Sequence, residues 1–323
     1  MTADLHAVVD AYLTHKRGVG RKFDSEQAEL TLLARFADQR GVNRLDQLSA
    51  GVIDDFLASR PRTRPRSFNH LLGVVTGLLN WAVTQEMLDV APAPLTRKRR
   101  GTADQLPFLF DRAQARRLLD TAAALPDNPR ALHRGPTYRT VYAICYGLGL
   151  RAGEACGLRV ADVDVDRGLL VVRGGKFGKT RLVPHGPQVG ELLHRQLEYR
   201  HQEDRSAGTD GPLFTFDGRR CMHPGTASQT FHHLVPLLDL PVPDGVGPPR
   251  LHSLRHSFAV GCLLRWYRQG IDPMTRLHQL STFMGHVDPT STAVYLQITP
   301  ALLAEANRRF EAFAQPAWAQ ALP

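Results

Sequence analysis

Apolar residues recur at spacings of three and four through the first 95 positions, which is the pattern of amphipathic helices. This pattern predicts four helices, and no alternating strand pattern accompanies them. We expect the helices over residues 3–15, 25–40, 49–59 and 67–88. The N-terminal region is therefore predicted to be an all-helical domain.

The pattern changes after Phe110. Asp111 precedes a helical segment, and Gln114 lies three residues after Asp111, which is the spacing of a capping box. Two runs rich in β-branched and aliphatic residues, 169–173 and 179–184, flank a glycine-rich turn and predict a β-hairpin. Further helices are predicted over residues 138–146, 151–158, 187–199, 226–238, 252–268, 290–298 and 300–313. This region is thus predicted to be mainly α with a small antiparallel β-sheet.

The length of 323 residues fits two domains, because single cores rarely grow beyond about 250 to 300 residues. Pro92 and Pro94, followed by the basic run 97–100, indicate an extended linker. We predict a helical domain over residues 1–95, a basic linker over 96–106, a second domain over 107–315 that ends in a helix, and a tail over 316–323.

Lysine and arginine (40 residues) outnumber aspartate and glutamate (31), and the net charge of +9 suits a polyanionic partner such as nucleic acid. The basic side chains of loop 60–66 and of the linker could contact phosphates or could simply be solvated. The four cysteines show no paired spacing, so neither a disulfide framework nor a zinc site is indicated, and we expect no metal and no cofactor. The N-terminus lacks a signal-peptide pattern and no apolar run is long enough to span a membrane, which predicts a cytoplasmic protein.

Four segments of the second domain place cationic or proton-transfer side chains where a helix or a turn can direct them. A phosphodiester under attack accumulates negative charge on its nonbridging oxygens, and the planar guanidinium of arginine can bind two such oxygens at once. The set therefore fits the cleavage of a phosphodiester. In chain order its members are Arg151, Lys176, His252 with Arg255, and His286 with Tyr295 nine residues later.

Two arginines of the set, Arg151 and Arg255, can clamp the phosphate. His252 lies one helical turn before Arg255, so both side chains can point to the same face. That spacing allows the histidine to accept a proton while the arginine holds the phosphate.

The hydroxyl of Tyr295 can form a stable phosphoester, and a base must help because the ordinary pKa of a tyrosine is about 10. Taken alone, Tyr295 would be interpreted as a core residue of an amphipathic helix, and only the preceding motifs favour a nucleophile. Lys176, on a hairpin turn, could protonate the departing 5′ oxygen, and His286 could donate a further hydrogen bond to the phosphate.

These segments resemble the tyrosine recombinase family, also called the phage integrase family. The segments GLRAGE, GGKFGKTRLVP, HSLRH, MGH and VYLQ correspond to the family's motifs in order and spacing over about residues 105–300. The four N-terminal helices resemble the family's core-binding domain, and the second domain resembles its α+β catalytic domain. The resemblance implies that the activating residues are Arg151, Lys176, His252, Arg255 and His286, and that the nucleophile is Tyr295.

Some positions stay open within this resemblance. Met284 stands where the family usually has leucine, a change that conserves volume. Lys179 is an alternative to Lys176 as the general acid. Glu154 is interpreted either as a carboxylate that orients the cluster or as a surface residue of its helix, and His256 is expected to pack or bond locally.

The activity implied by the resemblance is site-specific recombination through a 3′-phosphotyrosyl intermediate, without metal or ATP. The implied partners are double-stranded DNA with specific sites and, on DNA, three further copies of the chain; the free protein is expected to be a monomer or weak oligomer, associated with the nucleoid. The C-terminal helix could dock on a neighbouring copy or on its own domain through Leu302, Leu303, Ala306 and Phe310. Two alternatives are a type IB topoisomerase and a DNA-binding protein of the same fold without catalysis.

Overall fold

The computed structural model describes residues 3–101, 105–173, 180–203, 210–286, 290–293, 295, 302–305 and 307–311. The chain divides into two compact units, Met1–Asp104 and Gln105–Pro323. Lys176, Lys179, Ala306 and the tail 316–323, all named from the sequence, lie outside the described residues. The division into a domain over 1–95 and a linker over 96–106 stays a prediction.

The first unit contains the four predicted α-helices, whose apolar faces meet in one core. Asp4 caps α1 by accepting a hydrogen bond from the backbone nitrogen of Ala7 at 2.9 Å, and Ser49 caps α3. The fourth helix, predicted over residues 67–88, ends at Thr84 because the backbone turns at Glu86, whose φ is +58°. The helices are α1 Leu5–Gly18, α2 Asp24–Asp38, α3 Ala50–Ser59 and α4 Pro65–Thr84, with a short 3₁₀ helix at Leu45–Gln47.

The basic segment after α4 is tied to this unit at two points. The carboxylate of Asp54 on α3 accepts hydrogen bonds from the backbone nitrogens of Leu95 at 2.8 Å and Thr96 at 3.0 Å. The amide of Asn69 on α4 exchanges two hydrogen bonds with the backbone of Arg99, at 2.7 and 2.8 Å. The segment from 95 to 99 therefore has a fixed path across α3 and α4.

Arg62 of loop 60–66 and Arg99 of the basic segment make internal contacts. Arg62 forms an ion pair with Glu29 at 2.7 Å, and the guanidinium of Arg99 lies 3.9 Å from the centroid of the Phe68 ring. The remaining basic residues of the loop and the basic segment include five with exposed side chains: Arg64, Arg66, Arg97, Lys98 and Arg100.

The second unit is mainly helical with a small antiparallel sheet, as predicted. The predicted capping box is confirmed: the backbone nitrogen of Gln114 donates to Asp111 Oδ1 at 2.8 Å, and that of Asp111 donates to Gln114 Oε1 at 3.0 Å. The helices are α5 Arg112–Ala123, α6 Arg134–Gly147, α7 Ala152–Cys156, α8 Pro187–Glu203, α9 Pro224–Leu234, α10 Leu251–Arg268, α11 Pro273–Met284 and α12 Thr290–Ala293. The strands, in sheet order, are β1 Val163–Asp164, β2 Leu169–Val172 and β3 Arg181–Pro184.

The sheet has one more strand than the predicted hairpin. The two-residue strand β1 pairs antiparallel with β2 and is too short to show an alternating pattern. The hairpin pairing itself is confirmed by β2 and β3, with Leu170 opposite Val183. Helix α9 ends at Leu234 rather than 238 because the chain continues as a 3₁₀ helix that contains Pro236.

Helix α6 runs through the core of the second unit, with Val141, Tyr142 and Ile144 fully buried. It packs against α10, which in turn packs against α11. The motif HSLRH lies in the first turns of α10, and MGH lies at the C-terminal end of α11. The helix packing therefore brings two distant motifs together.

The described part of the C-terminal helix contacts its own unit. Leu302 is buried in a cluster with residues of α10 and α11, and Arg309 donates a hydrogen bond to the carbonyl oxygen of Tyr267. Leu303 and Phe310 are 58% and 61% exposed. Docking of this helix on a neighbouring copy stays a prediction. Within the described residues, no helix is long and apolar enough to cross a membrane.

Candidate active site

Arg151 and Glu154 define the start of the short helix α7. The backbone nitrogen of Arg151, at the N-cap position, donates to Glu154 Oε2 at 3.0 Å, and its Nη1 donates to Glu154 Oε1 at 2.7 Å. The local sequence thus holds the guanidinium of Arg151 at the helix start, where its side chain is 28% exposed.

The carboxylate of Glu154 also accepts hydrogen bonds from a second arginine, which lies in the sheet. Arg181, the first residue of β3, donates from Nη2 to Oε2 at 2.9 Å and from Nη1 to Oε1 at 3.1 Å. Burial raises the pKa of Glu154, but the hydrogen bonds from Arg181 and Arg151 outweigh this effect and set the pKa to about 2. The carboxylate is therefore ionised at neutral pH, and the interpretation of Glu154 as a surface residue is wrong, since its side chain is only 7% exposed.

Helix α11 ends in a tight turn that contacts Arg151. The backbone nitrogen of His286 donates to the carbonyl of Ser281 at 2.9 Å, and that of Gly285 donates to Thr282 at 3.0 Å. This Schellman turn requires a left-handed residue, and Gly285 has φ of +68°. The turn at Gly285 ends the helix and places His286 directly after the residue whose carbonyl oxygen binds Arg151.

Three successive carbonyl oxygens at this helix end each accept a hydrogen bond from a different arginine. A helix C-terminus leaves such carbonyls without helical partners and carries partial negative charge, so guanidiniums are stabilised there. The bonds are Arg181 Nε to Phe283 at 2.9 Å, Arg255 Nη2 to Met284 at 2.7 Å, and Arg151 Nη2 to Gly285 at 3.1 Å.

Arg255 is the most deeply placed of the three, with only 1% of its surface exposed. Its Nη1 donates to the carbonyl of Gly149 and lies 3.9 Å from Glu154 Oε2. Burial, together with the charge of Arg151, lowers the pKa of Arg255 to about 10, so it remains charged at neutral pH. The three guanidiniums and the carboxylate of Glu154 leave a net charge of +2 in the cluster.

Two predicted histidines border this cluster. Desolvation and the charges of Arg255 and Arg151 lower the pKa of His252 and set that of His286 to about 4. The Nδ1 of His286 lies 2.6 Å from Thr292 Oγ1 on α12. His286 is therefore neutral at pH 7 and can exchange hydrogen bonds without adding to the positive charge.

Tyr295 is 4% exposed, and its ring packs in the apolar cluster formed by α10, α11 and Leu302. Its hydroxyl lies 3.0 Å from Nδ1 of His256. Burial raises the pKa of Tyr295, while the charges of Arg255 and Arg151 act in the opposite direction. The phenol is thus protonated at neutral pH and lies within electrostatic reach of both guanidiniums.

The sequence model of the phage integrase family matches residues 109–301. The chain belongs to this family, the tyrosine recombinases. Tyrosine recombinases break and rejoin DNA. Among relatives, the putative integrase/recombinase y4rB of Sinorhizobium fredii is 33% identical over 306 residues, which cover 94% of this chain and 96% of that protein. The tyrosine recombinase XerD of Ralstonia nicotianae is 28% identical over 276 residues, covering 85% of this chain and 83% of that one.

Solved recombinase structures share the fold. The integrase of transposon Tn1549 in complex with transposon right end DNA has a TM-score of 0.61 and 18% identity, covering 97% of this chain and 100% of that one. A lambda integrase dimer bound to a core site has a TM-score of 0.61 and 17% identity, covering 91% and 77% of the two chains. The prediction of a recombinase fold is therefore confirmed.

In this recombinase, the described part of the chain brings together five of the six residues named from the sequence, and Lys176 lies outside it. Sequence reasoning missed Arg181. The available signal was its position in β3 two residues before the buried Val183, since residues i and i+2 share one face of a strand. His256, expected only to bond locally, contacts the phenol of Tyr295. No group of three or more metal-ligating side chains occurs among the described residues.

Proposed function

We propose that this protein is a site-specific recombinase that cleaves and rejoins DNA through a 3′-phosphotyrosyl intermediate on Tyr295. The observation that carries the proposal is the placement of a buried phenol within electrostatic reach of two guanidiniums whose cluster holds a net charge of +2. An oxyanion that develops beside these groups is stabilised by donors already fixed in place.

In the first step the Tyr295 oxygen attacks the phosphorus, a new phosphorus–oxygen bond forms, and the bond to the 5′ oxygen breaks. Arg151 and Arg255 hold the nonbridging oxygens. The side chain of Arg151 is 28% exposed and that of Arg255 is 1% exposed, so Arg151 is the more accessible of the two to DNA. His252, whose lowered pKa leaves it neutral, accepts the phenolic proton, and Lys176 protonates the leaving oxygen.

In the second step a 5′ hydroxyl of a partner strand attacks the phosphotyrosine and releases Tyr295. The number of phosphoester bonds is unchanged, so the reaction requires no nucleotide hydrolysis. His286 donates a hydrogen bond to the phosphate in both steps.

The proposed partner is duplex DNA with specific recombination sites. Support comes from the exposed basic residues of the first unit and from the fold shared with a lambda integrase tetramer bound to a Holliday junction, which has a TM-score of 0.61. We accordingly propose a tetramer on DNA and a monomer or weak oligomer in its absence. Because its substrate is DNA, the protein would act at the nucleoid, in the cytoplasm.

The test is covalent capture on a nicked DNA duplex carrying a site first selected by binding to the protein. The nick lets a short fragment diffuse away after cleavage, so the wild-type protein is expected to form an adduct that survives SDS. Tyr295→Phe should form none, because the nucleophilic oxygen is absent, whereas the matched variant Tyr267→Phe should react normally.

Three outcomes would count against the proposal. An adduct with Tyr295→Phe would assign the nucleophile elsewhere. Relaxation of a supercoiled plasmid that lacks the selected site would favour a type IB topoisomerase. Tight binding of the wild-type protein without any adduct would favour a DNA-binding protein without catalysis.

A further inference from the structure

One contact in the site connects the nucleophile to a residue outside the proposed catalytic set. The hydroxyl of Tyr295 lies 3.0 Å from Nδ1 of His256, and the two ring centroids are 5.4 Å apart at an interplanar angle of 59°. The two residues are 39 positions apart in the chain. The contact is therefore a product of tertiary packing.

Helix α10 explains how His256 reaches this place. His252, Arg255 and His256 occupy positions i, i+3 and i+4, so all three lie on one face of the helix. The rings of His252 and His256 are 4.6 Å apart and nearly perpendicular. His256 thus contacts both the ring of His252 on its own helix and the hydroxyl of Tyr295.

The ring of Tyr295 lies in an apolar cluster and stacks on the ring of His286, with ring centroids 6.4 Å apart. These contacts determine the depth of the ring but not the direction of its hydroxyl. The cluster around it includes Val260, Leu263, Leu280 and Met284. A buried hydroxyl needs a hydrogen-bond partner, because leaving it without one costs free energy. Among the described residues, His256 supplies that partner.

We propose that His256 is a positioning residue that seats the Tyr295 hydroxyl for attack through its Nδ1 atom. This inference rests on the proposed role of Tyr295 as nucleophile. In this role His256 fixes the direction of the Tyr295 oxygen that attacks the phosphate.

The electrostatics of the site agree with this role. Burial lowers the pKa of His256, and electrostatic interactions with His252, Arg255 and His286 lower it further, to about 4. The ring is neutral at pH 7, so it can hold the phenol without adding a charge to a cluster that already has an excess of guanidinium.

The atom that makes the contact provides a sharp test. The side-chain amide of asparagine reaches about as far as Nδ1 of histidine, whereas that of glutamine reaches about as far as Nε2. If Nδ1 seats the phenol, His256→Asn should retain the function, and His256→Gln and His256→Ala should lose it. His278→Asn, on the exposed face of α11, is the matched control.

The first measurement is the single-turnover rate of adduct formation on the nicked duplex, together with DNA affinity. We expect His256→Ala and His256→Gln to slow adduct formation by about tenfold to a hundredfold, as for a lost buried hydrogen bond, with DNA affinity unchanged. His256→Asn should stay within about threefold of the wild type, since it restores the contact. A purely structural role would instead lower the melting temperature and affinity of all three variants together.

The second measurement does not depend on activity. Tetranitromethane nitrates exposed phenols, and mass spectrometry of the free protein then locates the modified tyrosines. Tyr295 should be protected in the wild type and in His256→Asn, and should become reactive in His256→Ala. This readout tests the contact between His256 and Tyr295 separately from the role of Tyr295 as nucleophile, so the two failures can be told apart.

Wild-type rates in His256→Ala, with Tyr295 still protected, would overturn the inference. Equal rates in His256→Asn and His256→Gln would overturn the assignment to Nδ1. Nitration of Tyr295 in the wild-type protein would show that the phenol is not seated in this way.

Discussion

In the first unit the cationic side chains suited to DNA lie on the surface, whereas three guanidiniums of the second unit converge on one carboxylate and are only 1% to 28% exposed. Arg64 and Arg97 are exposed on a proline-containing loop and on the basic segment. Arg255, Arg181 and Arg151 share one carboxylate and bind successive carbonyls at the end of α11.

This difference separates two uses of the same side chain. Exposed arginines contribute to affinity by releasing counterions, so each acts almost independently and the effect fades with salt. Buried arginines act through geometry, because each has both a fixed carbonyl partner and a fixed neighbour. Substitutions in the first unit should therefore change binding, and those in the second should change chemistry.

The largest effect is expected for Arg255→Lys. Lysine keeps the charge but cannot satisfy the carbonyls of Gly149 and Met284 together and still present a fork to the phosphate. We expect adduct formation to slow by about a hundredfold to a thousandfold with little change in DNA affinity. Arg97→Lys, the same change on the surface, should leave the rate unaltered; an equal loss in both variants would remove the distinction between the units.

A smaller loss is expected for Arg181→Gln. This change removes two hydrogen bonds to Glu154 and one to the carbonyl of Phe283, so the carboxylate that aligns Arg151 loses its second partner. We expect adduct formation to fall by about tenfold to a hundredfold, measured in single turnover.

Coupling between Arg181 and Glu154 can be measured directly. In a double-mutant cycle with Glu154→Gln, the two substitutions should be clearly non-additive, because both break the same ion pair. Strict additivity would show that Arg181 does not act through Glu154.

Gly285→Ala should destabilise the C-terminal turn of α11, whose carbonyl oxygens bind the three arginines. A Cβ there would lie 2.7 Å from Nη1 of Arg181, on a residue with φ of +68°. Gly218→Ala is the matched control, since Gly218 has φ of +73° with nothing within 4 Å of the added carbon. We expect Gly285→Ala to lower the free energy of unfolding by about 1–3 kcal/mol more than the control, measured by chemical denaturation; equal losses would exclude a contribution from Arg181.

The smallest effects belong to the first unit. Arg97→Gln should reduce the slope of log affinity against log salt concentration by about one, without slowing cleavage at saturating DNA. Asn69→Ala keeps every charge but releases the backbone of Arg99, so it should lower affinity at an unchanged slope. An unchanged affinity in Asn69→Ala would show that the path of the basic segment is irrelevant to binding.

The sequence could predict contacts between residues close together in the chain, but not those between residues far apart. His252 and Arg255 share a helix face by spacing alone, and the capping box at Asp111 is equally local. The pairing of Arg181 with Glu154 spans 27 positions, and that of His256 with Tyr295 spans 39. Periodicity carries no information at such distances, so these contacts had to come from the packing of β3, α7, α10 and α11.

The single carboxylate of Glu154, shared by three guanidiniums, also links the stability of the chain to its substrate. Like charges held close together oppose compaction, so an anion that binds only the folded protein shifts the folding equilibrium by mass action. A scissile phosphate, or a tetrahedral oxyanion such as sulfate, would act as such a ligand. The recombinase is accordingly expected to melt at a higher temperature on its DNA site than alone, with the catalytic cluster itself contributing to the difference.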